Sequence, residues 1–386
     1  MKKQLTRIAS WMLLATMGQA GALAQNIRID MNKTYPEKTI SLQKVADIKY
    51  IPLETTDEVL FNGIVTNLSA EGIAGFNKKE GDILVFDGTG KAIASFNHTG
   101  QGPNEYNKIY HLDVDWKQKE VYVQDNFRQK IRIYGLDGRH LRTIDLQETM
   151  QEGDLYSFSD THLIYYAKPK SKPVTPYEPV TLLSKKDASK ATLPFTKTDD
   201  NLVKATGGPF GDMKMSAKNV NLLCKKGDEV YVNEVTADVI YRVESNHALT
   251  PVVERTPSYQ DASGQDFFLM LTGANARYYF FKRQQALLEF QGNAATDTKS
   301  TYVAYDRKEK QLLNPTFTNE DYPSQDIPMS KLLQCAGSAN RCYLQLEAFK
   351  LKEALAEGKL KGTLKSIAEK LDEEDNPVLM VVEFKK

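Results

Sequence analysis

The sequence predicts an all-β chain, a six-bladed β-propeller with a short helical insertion near the C-terminus. Three observations carry this expectation: a strand-and-turn unit that repeats within residues 81–146, the lack of any helix-period pattern interrupting that repeat, and apolar strands recurring as far as residue 384. In the repeat, Val85-Phe86-Asp87-Gly88-Thr89-Gly90 lies over Ile133-Tyr134-Gly135-Leu136-Asp137-Gly138, and both 134 − 86 and 138 − 90 give 48 residues. That period suits a four-stranded blade, for which known repeats run at roughly 40–50 residues. Each copy ends an apolar strand in a polar turn whose glycine supplies a positive-φ position.

The chain has 386 residues, ample for a large core. Met1–Ala24 reads as a cleavable secretory leader: Lys2, Lys3 and Arg7 precede the apolar run Ile8 to Met17, and Ala22-Leu23-Ala24 is a small-residue cleavage site. No cysteine follows the apolar run, so no lipid anchor is expected, and no later stretch reaches the ~18 apolar residues of a membrane helix. The expected location is periplasmic or secreted. The whole chain carries 50 Lys+Arg and 50 Asp+Glu, and removing the leader's three positives leaves 47 against 50. That balance argues against nucleic acid or an anionic membrane as partner, since both require a concentrated positive field. Cys335 and Cys342 enclose a small polar loop and are a candidate disulfide; the alternative is that Cys224, Cys335 and Cys342 are all buried small hydrophobes.

Residues 25–43 read as an N-terminal strand and extension, and residues 44–386 as the propeller. Ile27-Arg28-Ile29-Asp30-Met31 alternates as a strand does, and terminal strands often complete a blade made from the other chain end. Val45 to Leu53 is read as opening the first blade, with Ile64 to Phe76 and Asp82 to Phe96 completing it. Ile109 to Trp116, Glu120 to Gln124, Lys130 to Tyr134 and Leu141 to Leu146 form a second. Its inner strand places Leu112, Val114 and Trp116 on one face, with Asp113 and Asp115 on the other. Leu155 to Ala167 and Val180 to Leu183 form a third. Asn219 to Cys224, Glu229 to Asn233 and Val239 to Val243 form a fourth. Phe267 to Leu271, Arg277 to Lys282, Ala286 to Phe290 and Tyr302 to Tyr305 form a fifth. The helical insertion, about 328–372, is expected from Leu344, Ala348, Leu351 and Leu355 at helical spacing, Gly358 as terminator, and Thr363 as cap of a second helix bearing Leu364, Ile367 and Leu371. The closing strand at 377–384 completes the sixth blade.

Four segments carry a resemblance: Tyr50-Ile51-Pro52-Leu53-Glu54-Thr55, Gly100-Gln101-Gly102-Pro103-Asn104-Glu105-Tyr106, Val121-Tyr122-Val123-Gln124-Asp125 and Asp375-Asn376-Pro377-Val378-Leu379. They resemble the exported bacterial six-bladed β-propeller proteins, which are similar to NHL-repeat propellers. The resemblance implies the fold and hardly constrains the function.

No local motif supplies chemistry. His98, His111, His140, His162 and His247 show neither HxH nor HExxH spacing, so no metal site or cofactor is expected. Gly100-Gln101-Gly102 lacks the third glycine and the helix of a dinucleotide fingerprint. Asp113 and Asp115 are candidates for a cation site or an acid/base pair, against the ordinary role of satisfying backbone N–H groups. Glu105, Tyr106, Asp125, Asn126 and Arg128 are the candidate binding residues, placed at the channel mouth. There Arg128 offers a planar donor fork for carboxylate or sulfate groups, against an Asx-turn and a blade-to-blade tie as the plain reading. The expected function is a non-catalytic propeller of the cell envelope that binds a glycan, peptide or protein; the alternative is a lyase or hydrolase with its site at the channel mouth.

Overall fold

Gly90 and Gly138 adopt φ +92° and +81°, and each closes the same outer hairpin. Asp87 N–H donates to Lys91 O at 2.8 Å, and Gly135 N–H to Arg139 O at 2.9 Å. In both hairpins the register shifts by one residue, at Val85/Phe86 and at Ile133/Tyr134. A bulge of this kind increases twist, which is what a propeller blade requires. The structure is a computed structural model that describes residues 27–146, 149–168, 177–197, 202–207, 212–216, 222–226, 229–261, 267–291, 294–295, 299–330 and 341–385. The expected leader lies outside these residues. So does Cys335, and with it the expected Cys335–Cys342 pairing; Cys342 itself is buried in strand Arg341–Leu346 of the last blade.

Six antiparallel sheets form six blades. Blade one runs Ile64–Leu68, Gly72–Phe76, Ile83–Asp87, Ala92–Phe96 from inner to outer strand, and blade two His111–Asp115, Glu120–Asp125, Lys130–Gly135, His140–Asp145. Blade three runs Thr149–Ser157, His162–Lys168, Val180–Ser184, Lys190–Thr192, and blade four Leu223–Lys226, Glu229–Val232, Val239–Val243, Leu249–Thr256. Blade five runs Phe267–Ala274, Tyr278–Gln285, Ser300–Asp306, Gln311–Thr318, and the described strands of blade six are, in order outward, Arg341–Leu346, Val378–Phe384 and the outer strand Ala46–Pro52.

Six apolar clusters lie between successive blades and close the ring, because alternate side chains of every strand face opposite neighbours. Leu112, Val121 and Tyr134 of blade two meet Ala74, Phe76 and Val85 of blade one, while Tyr122, Ile131 and Ile133 meet Leu155, Leu163 and Leu183 of blade three. The last junction joins Val65, Ile73 and Phe86 of blade one to Tyr343, Leu379 and Val381 of blade six. Each fully buried side chain of this type contributes about 1.5–3 kcal/mol.

The N-terminal residues run along the outer rim. Ile27–Asp30 adds to blade four in parallel with Leu249–Thr256, and Glu37–Ser41 adds to blade five in parallel with Gln311–Thr318. Ala46–Pro52 then pairs antiparallel with Val378–Phe384. This corrects the expectation that Val45 to Leu53 opens the first blade: its alternation marks a strand, and the partner comes from the far end of the chain. Two segments of the family resemblance meet here. Asn376 Nδ2 donates to Glu54 O and Val59 O, both at 2.7 Å, and its Oδ1 accepts from Phe61 N–H at 2.7 Å.

Three further expectations are revised. Leu287–Gln291 leaves blade five and runs parallel to Leu202–Thr206 in a small separate sheet, so Ala286 to Phe290 is replaced in the blade by the outer strand Gln311–Thr318. The insertion helices are Ala348–Ala356 and Gly362–Ala368, and Leu344 belongs to a strand instead. Thr363 falls inside the second helix, whose N-cap is Lys361. Gly358 does end the first helix, at φ +68°, with Lys359 N–H reaching back to Ala354 O at 2.9 Å.

Candidate functional site

In this topology every inner strand starts on one face of the ring, here called upper. The links between blades and the turns joining second to third strands gather on that face. The loop 97–110 and the turn Asn126–Gln129 are therefore upper-face neighbours, and all five expected binding residues meet there.

Their hydrogen bonds are internal. Tyr106 is fully buried; its hydroxyl donates to Gly81 O at 2.7 Å and accepts from His98 N–H at 3.0 Å. Glu105 Oε2 accepts from Gly102 N–H at 2.6 Å. The Arg128 fork donates to Gln101 O at 3.1 Å, Gly102 O at 3.2 Å and Gly100 O at 3.4 Å. Asp125 is buried, accepting from Asn107 N–H at 3.0 Å, Arg128 N–H at 3.3 Å and the buried Arg132 at 3.2 Å, and Asn126 Oδ1 accepts from Gln124 at 2.9 Å. The five make one knot that fixes the turn between blades one and two. It holds Phe127 out at 64 % exposure, with Tyr110 beside it at 5.7 Å between ring centroids.

A second polar group lies on the inner strands of the first four blades. Asp113 Oδ1 accepts from Asn67 Nδ2 at 2.7 Å, and its Oδ2 accepts from Ser157 N–H at 2.7 Å and from Lys225 Nζ at 3.0 Å. Asn67 in turn accepts from Trp116 Nε1 at 2.7 Å. Lys225 belongs to blade four and Asp113 to blade two, so this ion pair passes the inner strand of blade three along the channel. Burial alone would raise the Asp113 pKa, but Lys225, His111 and the Ser157 N–H together hold it below the usual carboxylate value. Asp115 pairs separately with Lys185 at 2.6 Å. The two carboxylates thus serve two different lysines rather than one cation or one proton, and the described residues contain no metal-type cluster.

His111 sits two residues above Asp113 on the same strand. Burial pushes its pKa down to about 4, opposed by Asp113 and reinforced by Lys225. The neutral ring meets Tyr156 edge-on at 5.1 Å, and its buried Nε2 has no hydrogen-bond partner among the described residues; the same holds for Thr66 Oγ1 on the inner strand of blade one. Asp154 of blade three accepts from Leu222 and Leu223 N–H at 3.3 and 3.4 Å, and burial pushes its pKa well above the usual value. Sequence reasoning flagged Asp113 and Asp115 but missed Lys185, Lys225 and Asn67. They come from blades far apart in the chain, and nothing local marks a lysine as inward-facing.

With this geometry in hand, comparison with known proteins places the chain. The family described as a domain of unknown function, DUF4934, matches residues 26–383. The chain belongs to that family. Among solved structures, this DUF4934 chain is similar to a protein of Bacteroides fragilis NCTC 9343 described as exported, with TM-score 0.63 and 15 % identity over 93 % of this chain and 100 % of the other. It is also similar to a DUF4221-family protein of Bacteroides vulgatus ATCC 8482, with TM-score 0.51 and 9 % identity over 89 % and 98 %. At these identities the likeness speaks for the fold. No curated protein matches the chain in sequence.

Proposed function

We propose that this chain is a non-catalytic binding propeller of the bacterial cell envelope, taking its ligand or partner on the upper face of blades one and two. The observation that carries the reading is the set of exposed apolar side chains there. Leu60 is 56 % exposed on the link into blade one, Ile64 begins that blade's inner strand, and Phe127 projects from the knot beside Tyr110. Exposed aromatic and aliphatic groups on rigid supports favour recognition, because little side-chain entropy is lost when they are covered. Under this reading Glu105, Tyr106, Asp125, Asn126 and Arg128 position the platform. The basic and apolar start of the chain supports export, as does the export described for the B. fragilis protein. Among the described residues no helix is long and apolar enough to cross a membrane.

The test combines a thermal-shift screen of the mature chain against envelope glycans and divalent metals with a crosslinking pull-down. A stabilising glycan or crosslinked partner is expected to be lost in Phe127→Ala, with the melting temperature of the free protein unchanged. Chemical turnover of a bound compound, or binding indifferent to both Phe127→Ala and Leu60→Ala, would overturn the reading.

A further inference from the structure

We infer that the upper half of the channel, floored by the Asp113–Lys225 pair, is a site for the carboxylate of a small ligand. This rests on the binding reading above and names the chemistry of what is bound.

Two lysines that pair with the inner-strand carboxylates make the case by contrast: Lys185 is buried just after the third strand of blade three, and Lys225 is half-buried on the inner strand of blade four. Lys185 uses all three of its donors, to Asp115 Oδ2 at 2.6 Å, Ser157 Oγ at 2.8 Å and Ser159 O at 2.7 Å. It is a finished structural tie. Lys225 makes one hydrogen bond among the described residues, to Asp113, and its side chain stays 14 % exposed within the channel. An ammonium group carries three donors, so two have no partner among the described residues. Asp113 has room for at most one of them, because Asn67, the Ser157 N–H and Lys225 itself already take three of its roughly four lone-pair sites.

Two further polar atoms of neighbouring inner strands are unpaired among the described residues. Thr66 Oγ1 lies one residue above Asn67, and His111 Nε2 two residues above Asp113; both are buried with no partner among the described residues. In its Nε2–H tautomer, His111 adds a further donor. Buried polar groups left unpaired are costly, and a wall with surplus donors is completed by an acceptor-rich group. A carboxylate brings two oxygens and about four lone-pair sites. The Asp113–Lys225 pair is neutral overall and His111 is uncharged, so a monoanion is accommodated at less electrostatic cost than a phosphate dianion. Tyr156 against the imidazole edge fixes the ring plane for that contact.

A uronic acid and a peptide C-terminus both supply such a group, and calorimetry on the full mature chain separates them. The probes are D-glucuronate with its methyl ester and alanylalanine with its amide. One acid is expected to bind, with its uncharged counterpart at least tenfold weaker. Lys225→Met is expected to cost at least tenfold and Thr66→Val about threefold, while Lys117→Met, on an exposed turn of the opposite face, changes nothing. Should Lys225→Met fail to fold, His111 in the unaltered chain decides: NMR titration, assigned with His111→Gln, is expected to show its pKa rising when the acid is bound. Equal binding of acid and uncharged counterpart, no binding of either acid, or an unmoved His111 overturns the inference. Binding of a neutral ligand that depends on Phe127 but not on Lys225 would leave the upper-face reading intact and remove this one.

Discussion

The first two blades and the fourth make the same outer turn from different amino acids. In blades one and two the left-handed position is Gly90 or Gly138; in blade four it is His247, at φ +68°. The hydrogen bonds coincide: Glu244 N–H donates to Ala248 O at 2.8 Å and His247 N–H to Glu244 O at 2.8 Å, as Asp87 does to Lys91 and Gly90 to Asp87. The register shift recurs too, at Ile240/Tyr241. Ala188 and Lys310 take positive φ in the corresponding turns of blades three and five. The geometry therefore persists where the glycine does not, and the blade tolerates a conformation that costs an L-residue about 1–2 kcal/mol.

Breaking the comparison at its strongest point means adding a side chain where glycine is required. Gly90→Ala is expected to cost about 2–3 kcal/mol, because its Cβ would overlap Pro52 O of blade six at a backbone angle that already disfavours alanine. A urea titration checks this; a loss under about 1 kcal/mol would mean the outer strand of blade six yields easily.

Blades two and four also touch directly through Asp113 and Lys225, which gives a pH test of similar size. His111 faces Asp113, Lys225 and Tyr156, and its folded pKa lies below the unfolded value. The stability it confers is complete above about pH 6.5 and is lost as pH falls toward about 4, a change of about 2–3 kcal/mol. Asp113, also depressed, adds a loss at lower pH still. His111→Gln is expected to flatten the chemical-denaturation midpoint between pH 6.5 and 4; an unchanged slope would assign the acid sensitivity elsewhere.

Gly138→Ala is expected to cost less than Gly90→Ala, about 1–2 kcal/mol. Its Cβ would lie 2.6 Å from Phe96 Cγ, and a ring can shift where a neighbouring backbone cannot. The smallest effect sharpens the comparison from the other side. His247→Gly relieves the left-handed strain but makes the unfolded chain more flexible, so a net gain of about 0.5 kcal/mol is expected in the same titration. A clear loss would show that the His247 ring, 5.7 Å from His162, contributes packing of its own.

These turns explain how much of the molecule was legible. Blade two was readable almost to the residue, since Gly138 and the alternation of its inner strand are both local signals. Blade five was misread because Ala286 to Phe290 has the same apolar pattern as a blade strand, and composition does not say which sheet a strand joins. Val45 to Leu53 fails for the same reason, its partner lying more than 300 residues away at Val378–Phe384. At the site, Asp125 and Arg128 were singled out by a turn pattern, yet what they bind is the backbone and buried arginine of their own knot. Lys225 carried no mark at all, because its meaning depends on the neighbour that blade two brings to it.

The rim strap has a consequence for how the protein is made. Ile27, Glu37 and Ala46 find their strand partners at Val253, Asn314 and Phe384 respectively, so the earliest segment to be synthesised waits for the latest. Until then the outer edges of blades four and five are open templates, and closing such long loops is slow. A nascent chain held back from release would expose these edges to pairing with another copy. Overexpression that outpaces completion of the ring should therefore yield aggregates joined through the N-terminal strands.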